Sequence, residues 1–153
     1  MRALEHRIPP PVIDATFALA MWGIARLLPQ LSADWPGRPA VSVVLAGLGA
    51  LLALAGLAAF RRHRTTFNPL KPEAASALVS TGVYAFTRNP MYLGMLVVLL
   101  AWAVYLSNLA AAALVPLFVP TLNRLQIQPE ERVLRAKFGA AFDAYAARVR
   151  RWI

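Results

Sequence analysis

Two neighbouring carboxylates are the groups of this chain whose type and spacing most suggest chemistry. Glu130 and Glu131 stand in a segment that is otherwise rich in basic residues. A positioned carboxylate can act as a general base. The structural alternative is that the pair only begins a helix, since both residues follow Pro129 and a helix dipole favours anions in its first turn. The sequence leaves both interpretations open.

A second polar group lies about forty residues earlier, in the run from Gly82 to Gly94. Each member has a structural explanation. Asn89 and Pro90 can form the N-cap and first position of a helix, and Arg88 can anchor that helix in lipid headgroups. Tyr84 and Tyr92 can be interfacial aromatics. Taken together, the run is more specific than membrane insertion requires, and it predicts a functional site.

Long apolar segments must position these groups. The chain is 59% hydrophobic and 15% charged, which is outside the usual proportions of a soluble globule. A membrane-spanning helix needs about 20 mostly apolar residues, and four segments qualify: 12–28, 41–60, 90–106 and 109–125. We therefore predict a single all-α integral membrane domain over residues 1–153, with about four transmembrane helices.

Small residues and prolines predict how these helices pack. Gly47, Gly49, Ala53 and Gly56 would let another helix approach the second span closely. In the fourth span, Pro116 and Pro120 each remove a backbone donor and predict a bend. That bend is either an ordinary proline kink or one that opens a cavity.

The tail, residues 126–153, carries one apolar stripe on a basic background. Its apolar residues recur at steps of three and four: Val133 or Leu134, Phe138, Phe142, Tyr145, Val149 and Trp152. This pattern predicts a C-terminal amphipathic helix that lies on a membrane or caps the bundle.

The charge of the loops predicts how the chain is oriented in the membrane. The chain has 16 Lys and Arg against 7 Asp and Glu, and the basic residues lie between and after the apolar runs. This distribution follows the positive-inside rule and argues against nucleic-acid binding. We expect the loop 61–89, the tail and both termini to be cytoplasmic. With no cysteine and two widely separated histidines, no metal site is expected.

The run Gly82–Gly94, followed by Glu130-Glu131, Phe138-Gly139 and Tyr145, resembles the isoprenylcysteine carboxyl methyltransferase and phospholipid methyltransferase superfamily, in its bacterial-type members. The resemblance covers residues 61–153, and Asn89 stands where many members have His. It implies a bacterial inner-membrane enzyme that transfers a methyl group from S-adenosylmethionine without a Rossmann domain.

The resemblance also implies the site residues. The cofactor would be held in a cytoplasmic pocket by Ser76, Ala77, Leu78, Val79, Tyr84, Arg88, Asn89, Pro90, Met91, Tyr92 and Glu130. The catalytic residues would be Arg124, Glu130 and Glu131, with Arg124 orienting the substrate. The expected partners are membrane lipids and a small hydrophobic or lipidated acceptor that enters sideways from the bilayer.

The acceptor and the reaction class stay open at this point. A prenylcysteine carboxylate, with a pKa of roughly 3.3–3.7, is already ionised and needs only a cation such as Arg124. A phospholipid amine needs a base, which would be Glu130 or Glu131. Two other classes remain: reduction of a lipid double bond with a nicotinamide cofactor on a related scaffold, and a non-catalytic small membrane protein.

Overall fold

α-Helices form all the long elements of the part of the chain that the computed structural model describes, residues 8–63 and 76–153. No strand occurs in these two ranges, so the predicted all-α class is confirmed. The helices are α1 (Pro10–Leu27), α2 (Arg38–Arg62), α3 (Pro90–Leu106), α4 (Leu109–Ala112), α5 (Val115–Leu122), α6 (Gln128–Phe138) and α7 (Ala140–Arg148). Short 3₁₀ turns cover Pro29–Leu31 and Gly82–Ala85, and a π-helical segment covers Asn123–Ile127.

The four predicted apolar segments coincide with α1, α2, α3 and the pair α4–α5. Two helical stretches of the described chain are long and apolar enough to cross a membrane, Arg38–Arg62 and Leu109–Phe138. The second stretch becomes charged from Arg124 onward. Because about 20 residues suffice to span, the part of this stretch that is apolar enough to cross a membrane ends near Leu125, and the acidic pair lies beyond that part. The count of four spans stays a prediction.

Helix α3 packs most extensively against α2, and glycine makes their close crossing possible. A Cβ at Gly49 would lie 2.6 Å from the carbonyl oxygen of Gly94, and a Cβ at Gly94 would lie 2.5 Å from that of Gly49. Ala53 contacts Gly94, and Gly56 contacts Pro90 and Met91. The prediction of close approach is thus confirmed for Gly49, Ala53 and Gly56.

The same prediction is wrong for Gly47, because nothing lies within 4 Å of a Cβ placed there. Gly47 is two residues before Gly49, so it points to a different side of the helix. A glycine-rich stretch marks the helix that is approached closely, but only the glycines on one face take part.

Helical regularity is lost on both sides of α5. A turn at residues 113–114 separates α4 from α5, just before Pro116, and the π-helical segment follows Pro120. Pro129 lies two residues beyond the end of that segment and has no N–H to donate. A wider π turn accommodates this, since it shifts the backbone hydrogen-bond register by one residue.

The tail forms two helices, so the expectation of one amphipathic helix is wrong. The chain breaks at Gly139, whose φ of +51° suits glycine. The apolar stripe is nevertheless used: Phe142, Tyr145 and Val149 are buried, with Leu78 and Leu134 packed against them. The tail therefore covers the loop that precedes α3. The main core lies between α1, α3 and α5 and contains Met21, Tyr92, Leu99, Phe118, Leu122 and Ile127.

Candidate active site

Arg88 joins the motif before α3 to the tail. Its backbone N–H donates to the carbonyl of Arg150 at 3.0 Å. Its Nη1 donates to the carbonyls of Ala146 and Val149, both at 2.8 Å. These three carbonyls belong to the end of α7 and the residues after it. A guanidinium in this position donates hydrogen bonds to carbonyls at the end of a helix, which have no partner within the helix.

Asn89 holds the same segment from the other side. It occupies the N-cap position of α3, but its side chain makes no capping hydrogen bond. Instead its Nδ2 donates to the carbonyl of Arg151 at 2.9 Å, and the Thr87 hydroxyl donates to that carbonyl at 3.4 Å. The side chain therefore does more than begin a helix.

Glu131 is an ion-pair centre. Its Oε1 accepts from Arg88 Nη2 at 2.8 Å and from Arg151 Nε at 3.0 Å, and its Oε2 accepts from Arg151 Nη2 at 2.6 Å. Only 13% of its side chain is exposed. Burial alone would raise the pKa of Glu131, but the hydrogen bonds from Arg151 and Arg88 outweigh it and hold that pKa below its usual value. Glu131 is thus a stable anion with both oxygens engaged.

Glu130 has the opposite surroundings. Tyr92 donates its hydroxyl to Glu130 Oε1, and no ion pair to Glu130 is present among residues 8–63 and 76–153. Burial raises the pKa of the Glu130 carboxyl to about 8, helped by the charge of Glu131 and opposed by the Tyr92 hydrogen bond. A carboxyl held in this way is suited to a ligand that brings a cation or hydrogen-bond donors.

A further tyrosine, Tyr84, lies beside Glu130 and is held by Tyr145. Tyr84 is buried in the 3₁₀ turn, where its ring packs edge-on against Phe60 with centroids 5.3 Å apart. Its backbone carbonyl accepts from the hydroxyl of Tyr145 at 2.8 Å. Burial raises the pKa of Tyr84 far above its ordinary value, with Tyr145 and Glu130 adding to the shift. Tyr84 therefore remains a neutral phenol beside Glu130.

A cleft of about 260 Å³ lies between the end of α2 and the turn that holds Tyr84. His63 Nε2 and Thr81 Oγ1 are 2.9 Å apart at its edge. Small side chains leave the space open, and basic ones line its polar end. The lining residues are Ala55, Ala58, Ala59, Arg62, His63, Thr81, Gly82 and Val83.

Most of the predicted site residues come together. Arg88, Asn89, Tyr92, Glu130 and Glu131 form one connected network, and Tyr84 adjoins it. Pro90 and Met91 instead contact Gly56 of α2, Leu78 packs on the tail, and Val79 is buried. Ser76 and Ala77 begin the second described range and have contacts of their own.

Arg124 is not brought to the acidic pair. Its side chain is exposed, and no hydrogen bond or ion pair joins it to another residue of the described ranges. It lies in the π-helical segment, one to two turns before the pair. Arg124 therefore does not contact the network around the acidic pair, and its predicted role in orienting the substrate stays a prediction.

Arg151 is the site residue that the sequence did not reveal. It contributes the closest ion pair to Glu131, yet in the sequence it is one of several arginines in a basic tail. Arg62, His63 and Thr81 were missed as well. In the sequence, Arg62 and His63 could have been noticed only because they follow the second apolar segment, and Thr81 only because it directly precedes the motif.

Comparison with known proteins relates the chain to a family and to a bacterial relative. The model of the phospholipid methyltransferase family matches residues 38–141, more than half of the chain. This range contains α2, the motif before α3 and the acidic pair, and it confirms the superfamily resemblance. An uncharacterized protein of Haemophilus influenzae is 43% identical over 63 residues, which are 41% of this chain and all of that protein. No solved structure matches.

Proposed function

Because the chain belongs to the phospholipid methyltransferase family, we propose that it transfers a methyl group from S-adenosylmethionine to a lipid or lipidated acceptor at the cytoplasmic membrane face. Family membership implies methyltransferase activity, and the two long apolar helices agree with a membrane protein. The observation that carries the cofactor assignment is the contrast within the acidic pair. Glu131 has two guanidinium partners, whereas Glu130 has a tyrosine hydroxyl alone.

The residues present fit this cofactor. S-adenosylmethionine carries a sulfonium, an ammonium group and ribose hydroxyls, and a carboxylate can bind any of the three. Glu130 is a carboxyl whose charged form lacks a cation among the described residues, and burial raises its pKa to about 8. Tyr84, Tyr92 and Glu130 would hold the cofactor, which supplies the methyl group.

The chemistry demands little covalent help from the protein. Methyl transfer from a sulfonium is an in-line displacement, so alignment and exclusion of water matter most. Here the Tyr92 hydroxyl orients Glu130, and Arg88 with Arg151 neutralises Glu131. The buried ring of Tyr84 and the tail helix shield the motif from solvent.

We propose a carboxylate as the methyl-accepting group, as in a prenylcysteine. With Glu131 held by two guanidinium groups and Glu130 assigned to the cofactor, neither carboxyl of the pair is left to remove a proton. A carboxylate acceptor is ionised at neutral pH and needs none removed. Arg124, which is exposed and has no described partner, is available to orient it.

A phospholipid amine is the alternative acceptor, and one observation favours it. The pKa of Glu130, raised to about 8, is close to the operating pH, which suits a general base. In that case Glu130 would take the proton of the ammonium headgroup instead of binding the cofactor.

The cleft at the end of α2 supports entry from the bilayer. Ala55 and Ala58 are exposed on a helix long enough to span, and the cleft between them and Val83 reaches the turn that carries Tyr84. A hydrophobic acceptor could approach along this face, and Arg62 in the cleft, like the exposed Arg124, is a cation available to its carboxylate.

The test is methyl transfer by the purified protein in lipid nanodiscs with S-adenosylmethionine labelled on its methyl group. We expect base-labile label, as in a methyl ester, on an N-acetyl prenylcysteine. Stable label on phosphatidylethanolamine would establish the amine alternative. The proposal fails if neither acceptor is labelled and S-adenosylhomocysteine does not raise the melting temperature. Protection by a nicotinamide nucleotide instead would indicate the reductase alternative.

A further inference from the structure

We propose that Arg151 is a positioning residue of the active site, which fixes Glu131 so that Glu130 is presented to Tyr92 and the cofactor. Arg151 lies outside both the motif before α3 and the acidic pair. The inference rests on the proposed function, because it concerns how that site is held together.

The Arg151–Glu131 contact has the geometry of a fork. Nη2 lies 2.6 Å from Oε2 and Nε lies 3.0 Å from Oε1, so two parallel N–H groups meet the two carboxylate oxygens. Such bidentate pairs are stronger and more directional than single charged hydrogen bonds. The exposed fractions are 33% for the Arg151 side chain and 13% for that of Glu131, so solvent screens the pair only in part.

The backbone of Arg151 is fixed separately from its side chain. Its carbonyl accepts from Asn89 Nδ2 at 2.9 Å and from the Thr87 hydroxyl. The neighbouring Trp152 donates its indole N–H to Asn123 Oδ1 at 3.0 Å. Arg151 thus connects the motif before α3, through its carbonyl, with α6, through its guanidinium.

This connection determines where Glu130 points. Glu130 and Glu131 are adjacent in the first turn of α6 and project about 100° apart around the helix. Holding Glu131 on the side of Arg88 and Arg151 therefore fixes the rotation of that turn. Glu130 is then directed to the Tyr92 hydroxyl of α3. Without the fork, Arg88 alone would hold Glu131, through one oxygen.

The experiment compares Arg151→Gln with Arg150→Gln by calorimetric titration of S-adenosylhomocysteine. Both variants lose one positive charge from the same segment, but the Arg150 side chain is exposed, and within the described residues its carbonyl alone takes part in a hydrogen bond. We expect Kd to rise roughly fivefold in Arg151→Gln, the effect of losing one ordinary hydrogen bond, because Arg88 still holds Glu131, and to stay unchanged in Arg150→Gln. Arg151→Lys should recover part of the affinity, because it keeps the charge but not the fork.

A double variant separates positioning from a merely structural role. If Arg151 acts through Glu131, then Arg151→Gln combined with Glu131→Gln should bind no more weakly than Glu131→Gln alone. Additive losses, or equal affinity of Arg151→Gln and Arg150→Gln, would overturn the inference.

If Arg151→Gln does not fold, the affinities of Arg151→Lys and Arg150→Lys for S-adenosylhomocysteine are compared instead, and equal affinities would again overturn the inference. A wild-type protein that does not bind S-adenosylhomocysteine would refute the proposed function itself.

Discussion

Glu130 and Glu131 are neighbours in sequence, yet they have different hydrogen-bond partners and different pKa shifts. Glu131 accepts hydrogen bonds from two arginines and is held ionised, whereas Glu130 accepts one from a phenol and has its pKa raised to about 8. The pair could be predicted as a candidate site from its type and position, and its asymmetry from the 100° step of a helix. Which member would be neutralised could not be predicted, since the partner Arg151 is 20 residues away in a tail with several other arginines.

The two single substitutions should therefore have different effects. Glu130→Gln is expected to cost about 1.5–3 kcal/mol of cofactor binding, roughly ten- to a hundredfold in Kd, because a charged hydrogen-bond acceptor is lost. Glu131→Gln should lower affinity less and the melting temperature more, because it breaks two partly buried ion pairs. Calorimetry and thermal unfolding of both variants check this. Equal and small losses of affinity would leave the helix-start interpretation of the pair as the better one.

The raised pKa of Glu130 also predicts a pH dependence of binding. If the bound cofactor needs the ionised carboxylate, affinity for S-adenosylhomocysteine should increase from pH 6 to pH 8, by at most about tenfold per pH unit, and then level off. The other titratable groups beside Glu130 stay in one form over this range: Glu131 remains ionised, and burial holds the pKa of Tyr84 far above its ordinary value. The matched control is Glu130→Gln, in which the slope should vanish. A flat wild-type profile would argue against an ionised Glu130 in the complex.

At the scale of elements, the helices whose signals are local could be predicted. The length of the second apolar segment predicted α2, and Asn89–Pro90 predicted the start of α3. The interval of two residues between the third and fourth apolar segments, Ser107 and Asn108, predicted the start of α4. The break at Gly139 was missed because a stripe with steps of three and four continues unchanged when a helix restarts. Pro129 is a local signal for an irregularity before α6, but it does not predict a π-helical segment, which also contains the fully buried Gln126, a donor to the distant carbonyl of Ile8.

Substitution of small residues should distinguish the two faces of α2. Gly49→Ala places a methyl group 2.6 Å from the Gly94 carbonyl oxygen, so the helices must separate. We expect a loss of about 1–3 kcal/mol of stability, as for other overpacked interfaces. Gly47→Ala, with nothing within 4 Å, should be neutral or stabilise by up to about 1 kcal/mol through helix propensity. Thermal unfolding in detergent measures both variants. A Gly49→Ala protein as stable as Gly47→Ala would show that α2 and α3 are not in close contact.

For the molecule as a whole, we propose four spans with both termini in the cytoplasm. The basic residues of the loop after α2 and of the tail then lie on one side, together with the acidic pair and the motif before α3. The connection between α1 and α2 would lie on the other side, with the exposed Asp34, which forms an ion pair with Arg38 at the start of α2. The cofactor pocket would accordingly face the compartment that contains the cofactor.

Because the chain has no cysteine, single cysteines can report this topology directly. Asp34→Cys should react with a membrane-impermeant maleimide added to intact cells, whereas Ala85→Cys and Ala147→Cys, also exposed, should react only after the membrane is opened. Wild-type protein is the unlabelled control. Labelling of position 85 or 147 in intact cells would contradict the orientation.

The central claim is that this membrane protein binds S-adenosylmethionine through Glu130, and titration of the purified protein with S-adenosylhomocysteine tests it most directly. The account predicts saturable binding at one site per chain, a Kd roughly ten- to a hundredfold higher in Glu130→Gln, and no heat of binding with a nicotinamide nucleotide. Absence of S-adenosylhomocysteine binding in a wild-type sample that unfolds cooperatively would contradict the account, as would equal affinity in the wild type and Glu130→Gln.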